Sequence, residues 1–125
     1  MVARIGWLIL AAGLAGAWQQ KPVEPPEEDE SLVAKQYAFN PLEADKELRV
    51  GNFYFKKGSY RAAALRFEEA TRWNPGLAEA WLRLGEAREK LGDSKGARQA
   101  YEKFLSLAPK HKRAAEIRKK LAAMG

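Results

Sequence analysis

Few residues in this 125-residue chain carry the side chains that catalysis uses. There is no cysteine, which excludes thiolate nucleophiles, disulfides, zinc–thiolate sites and thioether lipid anchors. The single histidine, His111, lies between Lys110 and Lys112 with no carboxylate beside it, so it is expected at the surface. Glu68 and Glu69 are neighbours; on a helix, adjacent side chains diverge and cannot act as an acid–base pair. The stretch GNFYFKKG, residues 51–58, has neither the spacing of a phosphate-binding loop nor a strand before it. No enzyme activity, metal or cofactor is expected. What the chain does offer is recognition chemistry, with aromatic, charged and amide side chains interleaved at helical spacing.

Those side chains must be positioned by something, and composition bounds it. Hydrophobic residues make up 46% and charged residues 30%, an ordinary mixture for one small domain. The formal net charge is +6. Residues 1–41 hold three cations against five acids, and residues 42–125 hold 19 Lys/Arg against 11 Asp/Glu. A basic module therefore follows an acidic tether.

The first residues have the layout of an export signal. Met1 to Arg4 start positive, and Ile5 to Ala17 run 13 residues without a polar side chain. Ala15-Gly16-Ala17 supplies the small-x-small pattern of signal cleavage. A spanning helix needs about 20 apolar residues, so residues 1–17 are expected to be a signal peptide cut after Ala17, giving an exported protein of the periplasm or cell envelope. An uncut signal would instead hold the chain at a membrane. Leu14-Ala15-Gly16 also matches the start of the Leu-Ala-Gly-Cys box at which bacterial lipoproteins are processed, but Ala17 has no sulfur to lipidate. Residues 18–40 are expected to be an acidic, proline-rich linker and N-terminal segment; Pro22, Pro25 and Pro26 with five acids favour an extended spacer.

From there the chain repeats itself. Gly51 and Gly85 are 34 residues apart, as are Gly58 and Gly92, Ala63 and Ala97, Phe67 and Tyr101, and Pro75 and Pro109. Helix signals fit the same frame. Asn40-Pro41-Leu42-Glu43 offers an N-cap, a first-turn proline and a capping-box glutamate. Gly58 ends a helix and Ser59 is expected to cap the next. Asn74-Pro75-Gly76 breaks the chain between repeats. In residues 110–124, Ala114, Ile117 and Leu121 form one apolar stripe among cations, as a half-polar capping helix requires.

The period resembles that of the tetratricopeptide repeat (TPR), whose pattern is W-x-x-L-G-x-x-Y, then A-x-x-x-F, then P. The second repeat offers Trp81, Leu84, Gly85, Ala97, Tyr101 and Pro109, with Arg88 in place of the Tyr. The first offers Val50, Gly51, Tyr54, Ala63, Phe67 and Pro75, with Glu47 in place of the Trp. The resemblance implies an all-α fold. Within residues 41–125 it implies a short solenoid of two helix-turn-helix repeats, at about 44–77 and 78–111, plus a C-terminal capping helix at about 112–124. Two repeats are few, so the first helix needs a cover. Leu32 to Phe39 folding back is one candidate, and a second copy in a homo-oligomer is the other.

The resemblance also implies where a partner binds. The first helix of each pair lines the concave face, which by register carries Leu48, Asn52, Phe55 and Lys56 and then Leu82, Arg83, Glu86 and Glu89. Apolar and charged side chains together suit a peptide or a partner helix. Some members of the family clamp a C-terminal carboxylate, but Leu48 stands where the clamp's Lys would be. The expected function is a non-catalytic scaffold for protein–protein interaction. The pairing of export signal and repeats resembles the BamD-type outer-membrane assembly lipoproteins, whose chains are far longer. A basic adaptor for an anionic membrane surface or nucleic acid is the competing expectation. Nucleic acid is the weaker half of it, because the charge is spread over several helices and no nucleic-acid module is visible.

Overall fold

The computed structural model of the protein describes residues 37–125. The expected signal peptide and the linker as far as residue 36 lie outside the described residues. The rest is all α, with α1 Pro41–Lys56, α2 Tyr60–Trp73, α3 Ala78–Lys90, α4 Ser94–Leu107 and α5 Ala114–Met124. The helices α1 and α2 form one hairpin and α3 and α4 the next; α2 packs on α3, and α5 closes the end against α4.

The repeat seen in the sequence is also a repeat of hydrogen bonds. Gly58 and Gly92 both adopt φ 81°, the left-handed conformation that only glycine takes at low cost. One residue later, Ser59 N–H donates to Tyr54 O and Asp93 N–H to Arg88 O, each at 2.9 Å. Asn40 Oδ1 accepts from Glu43 N–H at 3.1 Å, as an N-cap does. Asp93 likewise caps α4, accepting from Gly96 N–H at 2.9 Å. Ser59 does not cap α2 with its hydroxyl; that helix starts on the main-chain bond from Ala63 N–H to Ser59 O. Between the repeats, Asn74 Oδ1 accepts from Gly76 N–H, and Trp81 Nε1 donates to Pro75 O at 2.8 Å.

Two buried sets hold the layers together. Ala63, Ala64, Phe67, Leu84, Ala87 and Ala100 join the two hairpins. Leu82, Ala97, Tyr101, Phe104 and Ile117 join the second hairpin to α5. Each large side chain fully removed from water contributes about 1.5–3 kcal/mol. Gly51 and Gly85 leave room for the rings of Phe67 and Tyr101, whose nearest carbons lie 2.5 Å from where a Cβ would stand.

Of the segment expected to cover α1, residues 32–36 lie outside the described residues, and residues 37–40 meet α2. Tyr37 O–H donates to Glu69 at 2.9 Å, its ring meets Trp73 edge-on at 4.7 Å, and Asn40 N–H donates to Trp73 O. Phe39 points away, 70% exposed. At the other end α5 begins at Ala114, because a turn at His111 holds the chain first. Ala114 N–H donates to His111 O, and Arg113 N–H donates to His111 Nδ1 at 3.0 Å. His111 is thus half-buried, edge-on to Phe104 at 5.0 Å. It does have a carboxylate neighbour: Nε2 lies 3.7 Å from Glu79 Oε1. Residues 32 positions away supply that carboxylate, so local sequence could not reveal it.

Candidate partner-binding groove

The concave side is built from α1, α3 and α5. On α1, Phe55 is half-buried and meets Tyr60 edge-on at 5.0 Å. The Arg83 guanidinium of α3 lies 4.4 Å from the Phe55 ring centroid, a contact favoured by the ring's negative face. Arg83 Nε also donates to Asn52 Oδ1 at 2.9 Å, and Arg83 pairs with Glu86. Asn52, Phe55 and Arg83 therefore form one connected wall across the two repeats. Leu48 packs against the core between the hairpins, and Lys56 is exposed.

Leu82 is not part of the surface. It has no solvent exposure, because α5 lies over it and Ile117 joins it in the second buried set. The remaining expected residues, Glu86 and Glu89, are met by cations of α5 and its approach. Arg113 reaches Glu86 at 2.8 Å, and Lys120 Nζ donates to Glu89 Oε1 at 2.8 Å. Tyr101 O–H donates to the same oxygen at 2.6 Å.

These contacts set the charge states. Burial alone would raise the Glu89 carboxyl, but hydrogen bonds from Lys120 and Tyr101 outweigh it and hold the group below the usual carboxylate range. Burial, and then the bond to Glu89, push the Tyr101 phenol well up. Arg113 is raised further by its bonds to Glu116 and Glu86, burial opposing.

Two hollows result. One of about 340 Å³ is lined by Phe55, Glu86, Glu89, Lys90 and Lys120. The other, about 580 Å³, is lined by Ala115, Glu116, Lys119, Lys120 and Ala123. Lys120 borders both, so the surface runs on from α3 along α5. Sequence reasoning missed Lys120, Glu116 and Ala123 as groove residues. The signal was present: Asn52, Glu86 and Lys120 are spaced by 34, as are Leu48, Leu82 and Glu116, and Phe55, Glu89 and Ala123. The capping helix keeps the period although it lacks the repeat's glycine and aromatic landmarks.

The tetratricopeptide repeat family profile matches residues 50–112, about half the chain. The chain belongs to the tetratricopeptide repeat family. A TPR repeat-containing protein of Pseudomonas aeruginosa is 36% identical over 62 residues, which cover 50% of this chain and 59% of that protein. A heat-shock protein cognate co-chaperone of Aspergillus fumigatus is 46% identical over 52 residues, covering 42% of this chain and 15% of the co-chaperone. The chain thus spans less than two thirds of either relative. TPR domains bind protein partners and are generally non-catalytic interaction modules.

Membership makes the two departures from the repeat pattern informative. Glu47, at the usual Trp position, is buried and paired with Arg66 at 3.1 Å. Arg88, at the usual Tyr position, donates to Glu68 at 2.9 Å and to Gly96 O at 3.1 Å. Glu68 lies on α2 and Gly96 on α4, so Arg88 ties both hairpins at a place where the pattern would put an aromatic ring. Removing one partner from such a contact costs more than the contact's own worth, because the other is left unpaired.

Proposed function

We propose that this TPR domain is a scaffold that holds a short segment of a partner protein along its concave surface, and that it does so in the bacterial cell envelope. The observation that carries the first half is the hollow bounded by Phe55 on one side and by Glu86, Glu89, Lys90 and Lys120 on the other. An aromatic wall gives a partner side chain an apolar anchor, and charges of both signs around it fix orientation. A peptide or one turn of helix fits these dimensions better than a small metabolite, since the surface continues past Lys120 into the second hollow. The co-chaperone among the relatives suits a protein-binding surface. The export half rests on residues 1–17, with the apolar run from Ile5 and the Ala15-Gly16-Ala17 pattern.

Site-directed photocrosslinking tests the groove. A photoreactive residue replacing Lys90, at the hollow, is expected to capture a partner from envelope extracts. The same residue replacing Gln99, exposed on α4, is expected to capture none. Equal capture from both positions, or capture from position 99 alone, removes the groove from the proposal.

A further inference from the structure

The two ends of the solenoid are finished differently. The helix α5 covers the C-terminal end with Ile117. At the N-terminal end α1 turns one flank inward to α2 through Glu47 and Gly51 and another to α3 through Asn52. Its third flank carries Leu42, Lys46, Arg49 and Phe53, continued by Lys57, at steps of four, three, four and four residues, with exposed Asp45 at its edge one turn before Arg49. Such steps place side chains in one row. Leu42 is 80% and Phe53 57% exposed. Lys46, Arg49 and Lys57 enter none of the ion pairs among the described residues, and Lys57 Nζ lies 5.3 Å from the Phe53 ring centroid.

The repeat register says what this flank is not. On α3 the positions 34 later than Lys46, Val50 and Phe53 are Ala80, Leu84 and Ala87, all buried. Leu84 and Ala87 there meet the preceding hairpin. A further repeat stacked on α1 in that way would bury the Lys46 ammonium where α3 buries a methyl, a costly exchange. A two-fold dimer through this flank would set Lys46, Arg49 and Lys57 against their own kind. Head-to-tail stacking would bring them to α5, whose exposed side carries Arg118 and Lys119 beside Glu116, an acid already paired with Arg113. All three arrangements oppose like charges or bury an unpaired one, so the occupant is anionic.

Its apolar tips narrow the choice. Leu42 and Phe53 are 11 residues apart, about 16 Å along the helix, with cations between them. A protein surface that buried both would have to desolvate Lys46 and Arg49 as well. A bilayer interface takes apolar tips into the acyl boundary while the cations stay among headgroup phosphates. We infer that the outer flank of α1 docks on an anionic lipid bilayer, with Leu42 and Phe53 inserted and Lys46, Arg49 and Lys57 on the headgroups. This surface is separate from the concave groove, so either can fail without the other.

Vesicle partitioning of the full chain tests it, using phosphatidylcholine alone and phosphatidylcholine mixed with phosphatidylglycerol. Residues 1–17 are present in every variant, so comparison between variants isolates the flank. Each cation removed is expected to lower partitioning on the anionic vesicles about fivefold, and Lys46→Gln/Arg49→Gln/Lys57→Gln together more than tenfold. Leu42→Ser/Phe53→Ser is expected to lower it severalfold with helicity unchanged, since both side chains are exposed. Single Gln variants carry the test if the triple variant folds poorly. Wild-type partitioning by the cation variants overturns the inference. Loss with the cation variants but not with Leu42→Ser/Phe53→Ser, accompanied by equally tight binding of poly-glutamate, also overturns it, in favour of an acidic-peptide site.

Discussion

The ring of Tyr101 lies against the backbone of Gly85 so closely that its Cδ1 and Cε1 stand 2.5 Å from the place of a Cβ. Tyr101 cannot yield, because it is fully buried and its hydroxyl is bonded to Glu89. Gly85→Ala, which in an exposed helix stabilises by about 1 kcal/mol, is therefore expected to destabilise by about 1–3 kcal/mol through overpacking. Thermal melts read this as a fall of several degrees. A rise would mean that the two helices of the hairpin can separate at no cost.

The same logic predicts less damage at Gly96. There the nearest atoms to an added Cβ belong to the Asp93 carboxylate, an exposed capping group that can swing aside, and the Arg88 Cδ stands farther off at 3.0 Å. Gly96→Ala is expected to shift the melt by less than half as much as Gly85→Ala. Its cost is a weakened cap, on the order of 1 kcal/mol.

Landmarks that repeat are legible in the sequence. The glycine–aromatic contacts, the two left-handed turns and the helices of the two hairpins follow from pairs such as Gly58 and Gly92, because each hairpin repeats the same turn and the same close approach; the last helix showed itself by the stripe of Ala114, Ile117 and Leu121. What was not legible depends on how one element is seated on another. Leu82 carries the register of a groove residue, yet it is buried because Ile117 comes to rest over it. Tyr37 has no periodic cue, and its partner Glu69 is found only once α2 turns back beside it. His111 looked solitary because Glu79 stands at the opposite end of the second repeat, 32 residues earlier in the chain. The groove role of Lys120 was readable by adding 34 to Glu86, but the missing glycine and aromatic in α5 hid the third period.

Acid is expected to loosen α5. Glu89 is held below the usual carboxylate range in the folded protein, whereas in the unfolded chain it titrates near 4.3. A depressed folded value means stability that is present above about pH 5 and is lost as pH falls through 4 and below. The pair with Lys120 is about one third exposed on each side, so its worth is about 0.5 kcal/mol after solvent screening. Melts between pH 7 and pH 3 are expected to fall less steeply for Lys120→Met than for wild type. Lys120→Glu sets a carboxylate against Glu89 and is expected to lower the melting temperature at pH 7, while Lys119→Glu, on the exposed side, leaves it unchanged.

If residues 1–17 direct export, the mature chain begins at Trp18. Intact mass of periplasmic material from an expressing bacterium checks this, with retention of residues 1–17 in a cytosolic protein as the contrary outcome. Ala17→Cys completes the Leu-Ala-Gly-Cys box and is expected to shift the protein into the membrane fraction with a lipidated N-terminus.

Phe55 carries the last prediction, and its position makes the measurement two-sided. The ring closes the hollow, but it also packs on Tyr60 and under Arg83. Phe55→Ala is therefore expected to lower stability by about 1–3 kcal/mol, less than a fully buried ring would cost. It is also expected to weaken partner binding by about 1–3 kcal/mol, as loss of an aromatic anchor does. The two effects separate when binding is measured well below the variant's melting temperature, where nearly all of it is folded. Lys90→Glu supplies the complement. Lys90 is exposed and borders the same hollow, so its reversal is expected to leave the melt within about 0.5 kcal/mol of wild type while changing association rate and salt dependence. Binding that survives Phe55→Ala in fully folded protein would remove the aromatic wall from the recognition surface and leave the rim charges alone to account for it.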